Sequence, residues 1–341
     1  AWAAAIDNAE VRALAKDWED FRGYTASSLL AKETIPAELK PGFIITKENI
    51  DSLPWIKDYL PQYWIDRLTS DWTPIKGIRV VPTTHYYMQQ GRLDATKTLE
   101  PDHFTINEKG ELRDKNGEHG FISEAGLPFI NPQNGEELNW LFNAHGVGTD
   151  DLYFDTIDMA ACNNANNLER MYKANIFWRR MAGRVSAPPL GNVEGFEGIT
   201  EAGALLILSP RDVRGLAGVR LRFADADLDD DFKLYIPSLR RTRALTGTNG
   251  QDPIAPGLEL TWDEWRSNWF KTDRRKFKYT LIKEAIILAG PEVGNVYDPL
   301  RIADDGCNLS GIVDMELRPT WLYEITDLTE TYQYSVKRVH V

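Results

Sequence analysis

The chain has 341 residues, of which 43% are hydrophobic and 26% charged, and a formal net charge of −12 at pH 7. That length exceeds one typical domain, and the balance of apolar and charged residues excludes a disordered or membrane-embedded chain. The acidic balance argues against nucleic acid as a partner, and no apolar run reaches the roughly 18 residues of a transmembrane helix.

In chain order, the opening Ala1-Trp-Ala-Ala-Ala5 has the small-residue character of a processed secretory signal, which predicts export. No cysteine stands there, so no lipid anchor is expected at that end. Residues 7–33 read as helix: Asp7 can cap, and Val11, Leu14, Ala15 and Trp18 share a face. Pro36 and Pro41 end this stretch, and a second helical stretch over 49–68 is interrupted by Pro54 and Pro61. Residues 78–87 read as a strand and 105–120 as a turn-rich hairpin. Leu168, Met171, Tyr172, Ile176 and Trp178 predict a helix over 163–182. Ala187-Pro-Pro-Leu-Gly191 then punctuates the chain, predicting a helix-rich region over 1–185 with some strands and a β-rich domain over 186–341.

From residue 200 the pattern turns to strands. Residues 204–209 form a continuous apolar run, expected to be buried on both faces. Val219, Leu221 and Phe223 alternate with Arg220 and Arg222; Phe232, Leu234 and Ile236 alternate with Lys233 and Tyr235 until Pro237 stops the ladder. Phe277, Tyr279 and Leu281 alternate with Lys278 and Thr280, and 312–317 and 321–325 continue the pattern. Strands joined by turns predict a meandering antiparallel sheet whose apolar face must be covered. If the sheet is curved and the helices cover it incompletely, a greasy cavity remains. The apolar members of these alternations are the expected cavity wall. Residues 332–341 alternate like a strand and stop without a turn, which reads as an end before the natural C-terminus.

Catalytic patterns are missing. His85, His103, His119, His145 and His340 show no metal-ligand spacing. The carboxylate run from Asp225 to Asp231 lacks the Gly and Glu of a calcium loop and reads as a solvated hairpin tip, its repulsion relieved by the arginines of the same hairpin. No nucleophile elbow, phosphate loop or dinucleotide fingerprint occurs. Trp262, Trp265, Trp269 and Phe270 fall at helical spacing and read as core or cavity cover, and the basic residues from Lys271 to Lys278 as a solvated face. Cys162 and Cys307 are either bridged or two separate thiols, since spacing does not decide connectivity.

Tyr235-Ile-Pro-Ser-Leu-Arg-Arg-Thr-Arg243 resembles the hairpin of the outer-membrane lipoprotein-sorting (LolA/LolB-like) superfamily, and within it a proteobacterial periplasmic family of unknown function, family 1329. The segment from Gln251 to Trp265 and Gly126-Leu-Pro-Phe129, with Pro132, Gly135, Glu136, Asn139 and Trp140, are similar to that family too, so the resemblance spans roughly 126–341. It implies an α+β fold: a strongly curved antiparallel half-barrel with helices on its concave face and a helix-rich N-terminal extension. It also implies a non-enzymatic, periplasmic protein, outer-membrane associated, that binds and transfers a lipid, lipoprotein acyl chain or sterol-like molecule without a cofactor. Its partners would be outer-membrane β-barrel proteins and RND-type exporters, with Arg240, Arg241 and Arg243 as a docking or headgroup site. The competing reading is a structural subunit of an envelope assembly with no free cavity.

Overall fold

A computed structural model describes residues 9–71, 75–84, 88–145, 149–163, 165, 167–245, 250–255, 257–267, 271–290, 301–302, 307 and 309–341. Asp7, His85, Trp269 and Phe270 lie outside these residues. The α-helices among the described residues all lie before residue 146. α1 (Ala9–Arg22) is followed by α2 (Ala26–Leu30), whose start is fixed by a reciprocal Thr25–Ser28 capping box. Pro54 and Pro61 break the next helical stretch as their missing N–H groups require, leaving α3 (Ile56–Tyr59) and α4 (Gln62–Thr69). α5 (Gln90–Lys97), α6 (Gly120–Ser123) and α7 (Gly135–His145) complete the set.

The strands fall into two six-stranded sheets and a two-stranded hairpin of β3 (Phe104–Ile106) and β4 (Leu112–Asp114). The first large sheet is an antiparallel meander: β5 (Asp151–Cys162), β6 (Leu168–Arg180), β7 (Ile199–Ser209), β8 (Ala217–Phe223), β9 (Asp231–Ile236) and β10 (Arg241–Leu245). The helix expected over 163–182 is therefore a strand. Tyr172, Ala174, Ile176, Trp178 and Arg180 are buried at every second position, and their partners in β5 and β7 satisfy the backbone. The β6–β7 ladder runs across residue 186, from Lys173↔Ser209 to Arg180↔Glu201. In β7 only Leu205 and Ile207 of the apolar run are deeply buried, so that strand has one core face and not two. The core face is covered by Ile254, Ala255, Leu258 and Trp262, and Trp262 packs edge-on against Phe232 with ring centroids 4.6 Å apart. The indole also lies over Gly218, where a Cβ would stand 2.3 Å from it.

The second large sheet is built around β13 (Leu309–Asp327). One side of β13 pairs antiparallel with β11 (Phe277–Ala289). The other side takes β2 (Ile75–Val81) in parallel up to Glu316↔Val81, and β14 (Val336–His340) from Leu322↔His340 onward. β1 (Ile44–Ile45) extends β2, and β12 (Arg301–Ile302) pairs with the start of β13. Between β2 and β14 the ladder is interrupted. Pro319 sits in that interval, where its missing N–H leaves no strand partner unsatisfied. The sheets are curved, and neither closes into a barrel. The α+β architecture with curved, mainly antiparallel sheets is the one expected, although its strands are divided between two sheets. The Sγ atoms of Cys162 and Cys307 are bonded, tying the end of β5 to the segment before β13 across a sequence separation of 145.

Candidate ligand cavity

On one face of β13 the side chains alternate inward at Val313, Met315, Leu317, Tyr323 and Ile325. Two cores form on this face. Val313, Met315 and Leu317 join Ile78, Val80 and Leu288 under residues 39–68, and Tyr323 and Ile325 join Phe277, Tyr279 and Leu138 of α7. Pro319 and Trp321 lie between these cores on the same face, opposite Ile286 and Glu284 of β11. The helical cover is incomplete there, and a cavity of about 980 Å³ opens. That volume is at the upper end of the roughly 300–1,000 Å³ of small-molecule sites.

Its apolar wall comes from separated segments: Trp18 of α1, Leu29 of α2, Leu141 and Phe142 of α7, and Ile286 and Trp321 of the sheet. The exposed Lys32, Glu33 and Asp58 belong to its rim. A β-bulge at Leu281/Lys283 inserts Ile282 into β11, and this sets the facing of the Glu284–Leu288 segment against the cavity. Arg22, Tyr24 and Arg318 bring polar chemistry to the wall. Burial lowers the Arg22 pKa, and Arg318 lowers it further; burial raises the Tyr24 phenol, with Arg22 opposing and Glu284 assisting. Burial also depresses His340, aided by Lys283, so the imidazole is neutral near pH 7. Among the described residues no group of His, Cys, Asp and Glu side chains converges as a metal site.

The apolar residues expected to form the wall are placed elsewhere. Val219, Leu221 and Phe223 lie on the outer face of their sheet, with Val219 44% exposed. Arg220 and Arg222 take the inner positions instead. Arg220 binds Asp230 at 2.9 Å and Asp263 at 2.8 Å; Arg222 binds Asp230 at 3.2 Å. Burial alone would raise the Asp230 pKa, but Arg222, Arg220 and Lys271 hold it below its ordinary range. Phe232, Leu234 and Ile236 face inward, into the core beneath Trp262. Phe277, Tyr279 and Leu281 belong to the other sheet, packed under α7. These three groups fill two separate cores and an outer face, and do not share one cavity.

The carboxylate run is also more than a solvated tip. Asp230 is buried in the arginine network, and Asp227 pairs with Lys109 and with Arg275 at 2.7 Å. Asp230 is paired by Arg220 and Arg222 of the β8–β9 hairpin that the run closes, and not by Arg240, Arg241 or Arg243. Arg240, with φ 50°, turns the chain into β10, and Arg241 and Arg243 follow on that edge strand, all three exposed. The cavity wall was invisible to pattern reading because it combines residues from distant segments. Pro319, a proline within an otherwise strand-like run, is the sequence signal that marks the interrupted sheet.

The fold and site define a class: an α+β protein whose curved sheet and helices border a large, mainly apolar cavity open to solvent on one side. The chain belongs to the DUF1329 family, described as protein of unknown function, whose family model matches residues 44–308. The match therefore reaches well before residue 126, where the resemblance was expected to begin. No curated protein matches the chain. Among solved structures it is similar to a domain from Vibrio parahaemolyticus described as a candidate outer membrane lipoprotein-sorting protein, at 16% identity and a TM-score of 0.37. That alignment covers 60% of this chain and 65% of the other. A DUF1329 family protein from Desulfovibrio piger ATCC 29098 aligns at 15% identity and a TM-score of 0.35, covering 57% of this chain and 61% of the other. The chain thus spans less than two thirds of either.

Proposed function

We propose that the protein binds a hydrophobic molecule, of lipid or sterol size, and carries it between components of the cell envelope without catalysing a reaction. The observation that carries this reading is the cavity of about 980 Å³ between the two cores on the β13 face. An apolar cavity of that size exposes greasy surface to water when empty, and burying a ligand there removes that cost. The Cys162–Cys307 bond supports a periplasmic setting, because such bonds persist in oxidising compartments. Arg240, Arg241 and Arg243 form the exposed basic surface we assign to docking against an anionic partner, such as an outer-membrane β-barrel or an exporter.

The test is native mass spectrometry, with organic extraction, of gently purified protein, alongside the variant Leu29→Arg. Leu29 is partly buried on the cavity wall, so the variant places a charge where the ligand would lie. A co-purifying apolar molecule at one-to-one ratio in the wild type, lost in the folded variant, is expected. Retention of the ligand by the folded variant would sink the assignment.

A second reading, an interaction subunit, is favoured by one feature. Tyr153, Phe177 and Val219 fall in one cross-strand row on the outer face of the β5–β10 sheet, 51%, 42% and 44% exposed. An empty protein that co-purifies with stoichiometric envelope subunits would select it.

A further inference from the structure

Arg22 ends α1 with its guanidinium positioned by the protein but, among the described residues, not neutralised in contact. Its Nε donates to the Tyr24 carbonyl at 2.9 Å. Its central carbon lies 5.5 Å from the Trp18 ring centroid and 4.6 Å from that of Tyr24, so two aromatic rings fix its orientation. Among the described residues no carboxylate forms an ion pair with it, whereas Arg318, on the same cavity, is matched by Glu316 and donates to Thr84 at 2.6 Å. The Glu19 and Glu284 carboxylates, also on the cavity wall, influence this pair through their charge, Glu19 on Arg22 and Glu284 on Tyr24.

A partly buried cation without a contact counter-ion is costly unless something else supplies the negative charge. With Nε occupied by a carbonyl, the two terminal nitrogens remain to receive a carboxylate or phosphate through paired, charge-assisted hydrogen bonds. Trp18, Leu141, Ile286 and Trp321 then offer apolar surface in the same cavity for whatever is attached to that anion.

We propose that Arg22 is the headgroup site of the cavity, and that the ligand is an anionic amphiphile whose carboxylate or phosphate pairs with Arg22 while its chain lies along the apolar wall. This rests on the proposed binding function and narrows its ligand class. Arg318 adds long-range positive potential without being the contact group, and uncharged lipids gain nothing from this end of the cavity.

The experiment titrates delipidated full chain with oleate, 1-oleoyl lysophosphatidate and neutral monoolein, following tryptophan fluorescence, since Trp18 and Trp321 line the cavity. Both anions are expected to bind at least about tenfold more tightly than monoolein, about the worth of one charge-assisted pair. Arg22→Met should lower anion affinity by about tenfold or more and leave monoolein within about twofold, and Arg22→Lys should recover part of the loss. If Arg22→Met does not fold, the wild-type preference and the Arg22→Lys titration decide alone. Equal binding of anionic and neutral chains by the wild type would overturn the headgroup site and leave the apolar cavity standing. Binding of none of the three would overturn both. Competition by millimolar inorganic phosphate would show a free-anion site and overturn the amphiphile assignment.

Discussion

Replacing both Cys162 and Cys307 by serine removes the tie between the end of β5 and the segment before β13. The sequence separation of 145 makes the closed loop long, and chain-entropy accounting gives about 5 kcal/mol of stabilisation for such a closure. Against a typical total stability of about 5–15 kcal/mol, the bond is a large fraction of what holds the fold. We predict a loss of about 3–5 kcal/mol for Cys162→Ser/Cys307→Ser, the lower value allowing for residual structure in the unfolded chain. The assay is urea unfolding followed by tryptophan fluorescence, with and without a phosphine reductant. The wild type should lose stability on reduction by the same amount, and the reductant should leave the double variant unmoved. The slope of stability against urea should rise on reduction, because the open chain exposes more surface when it unfolds. Two titratable thiols in the native wild type, or a wild-type midpoint indifferent to reductant, would refute the reasoning.

Glu111 accepts the Ala226 N–H at 2.8 Å and the Asn107 side-chain N–H at 2.6 Å, and pairs with Arg113. Burial alone would raise its pKa; the Ala226 N–H, Arg113 and Asn107 outweigh that and hold the carboxyl at about 2, against an ordinary 4.5. A depressed carboxyl stabilises above its unfolded pKa and loses that contribution as pH falls through the folded one. Glu111→Gln should therefore cost about 1–3 kcal/mol at pH 7, discounted for solvent screening, with the gap to wild type closing between about pH 4.5 and 2 in urea unfolding. A gap that does not change with pH would count against the ionic account. Gly218→Ala places a Cβ 2.3 Å from the Trp262 ring and should cost about 1–3 kcal/mol, with a change in near-ultraviolet circular dichroism; a variant of unchanged stability would contradict the packing. Asp150 is fully buried, receives the backbone N–H groups of Val185, Ser186 and Ala187, and pairs with Arg92 at 3.1 Å. Asp150→Ala should lower stability by about 3–5 kcal/mol in thermal or urea unfolding, and a loss under about 1 kcal/mol would show that this junction relaxes.

Local rules read the hairpin of β3 and β4, the proline-broken helices and the strand ladder of the C-terminal half correctly, because turn chemistry and period-two alternation act over a few residues. β6 departs from the expected helix because Leu168, Met171, Tyr172 and Ile176 also satisfy a helical spacing, while the true inward row includes the small Ala174 and the charged Arg180. Arg180 is admitted to the interior because it donates to the Ala144 carbonyl at 2.6 Å and stands over the Phe121 and Trp178 rings. Of these partners only Trp178 belongs to β6 itself; Ala144 and Phe121 come from elsewhere in the chain.

The inversion of β8 has the same cause and a wider consequence. Alternation states that two faces differ, but not which one is inside. The default places Val219, Leu221 and Phe223 inward, yet Asp230 from the turn that follows β8 and Asp263 from a later segment neutralise Arg220 and Arg222, and that compensation reverses the strand. The first sheet thereby fills its interior with an ionic network and the Trp262 cover, and the large cavity lies against the second sheet. There the interruption between β2 and β14, and the gap between the helices over β13, leave Pro319 and Trp321 only partly covered, beside Ile286 and Glu284 of β11 on the cavity wall. A cavity is defined by where cover stops, a property of several elements at once. The residues that line it therefore carry no common periodicity, and Arg22 stands out only once its aromatic clamps are seen together with the lack of a paired carboxylate among the described residues.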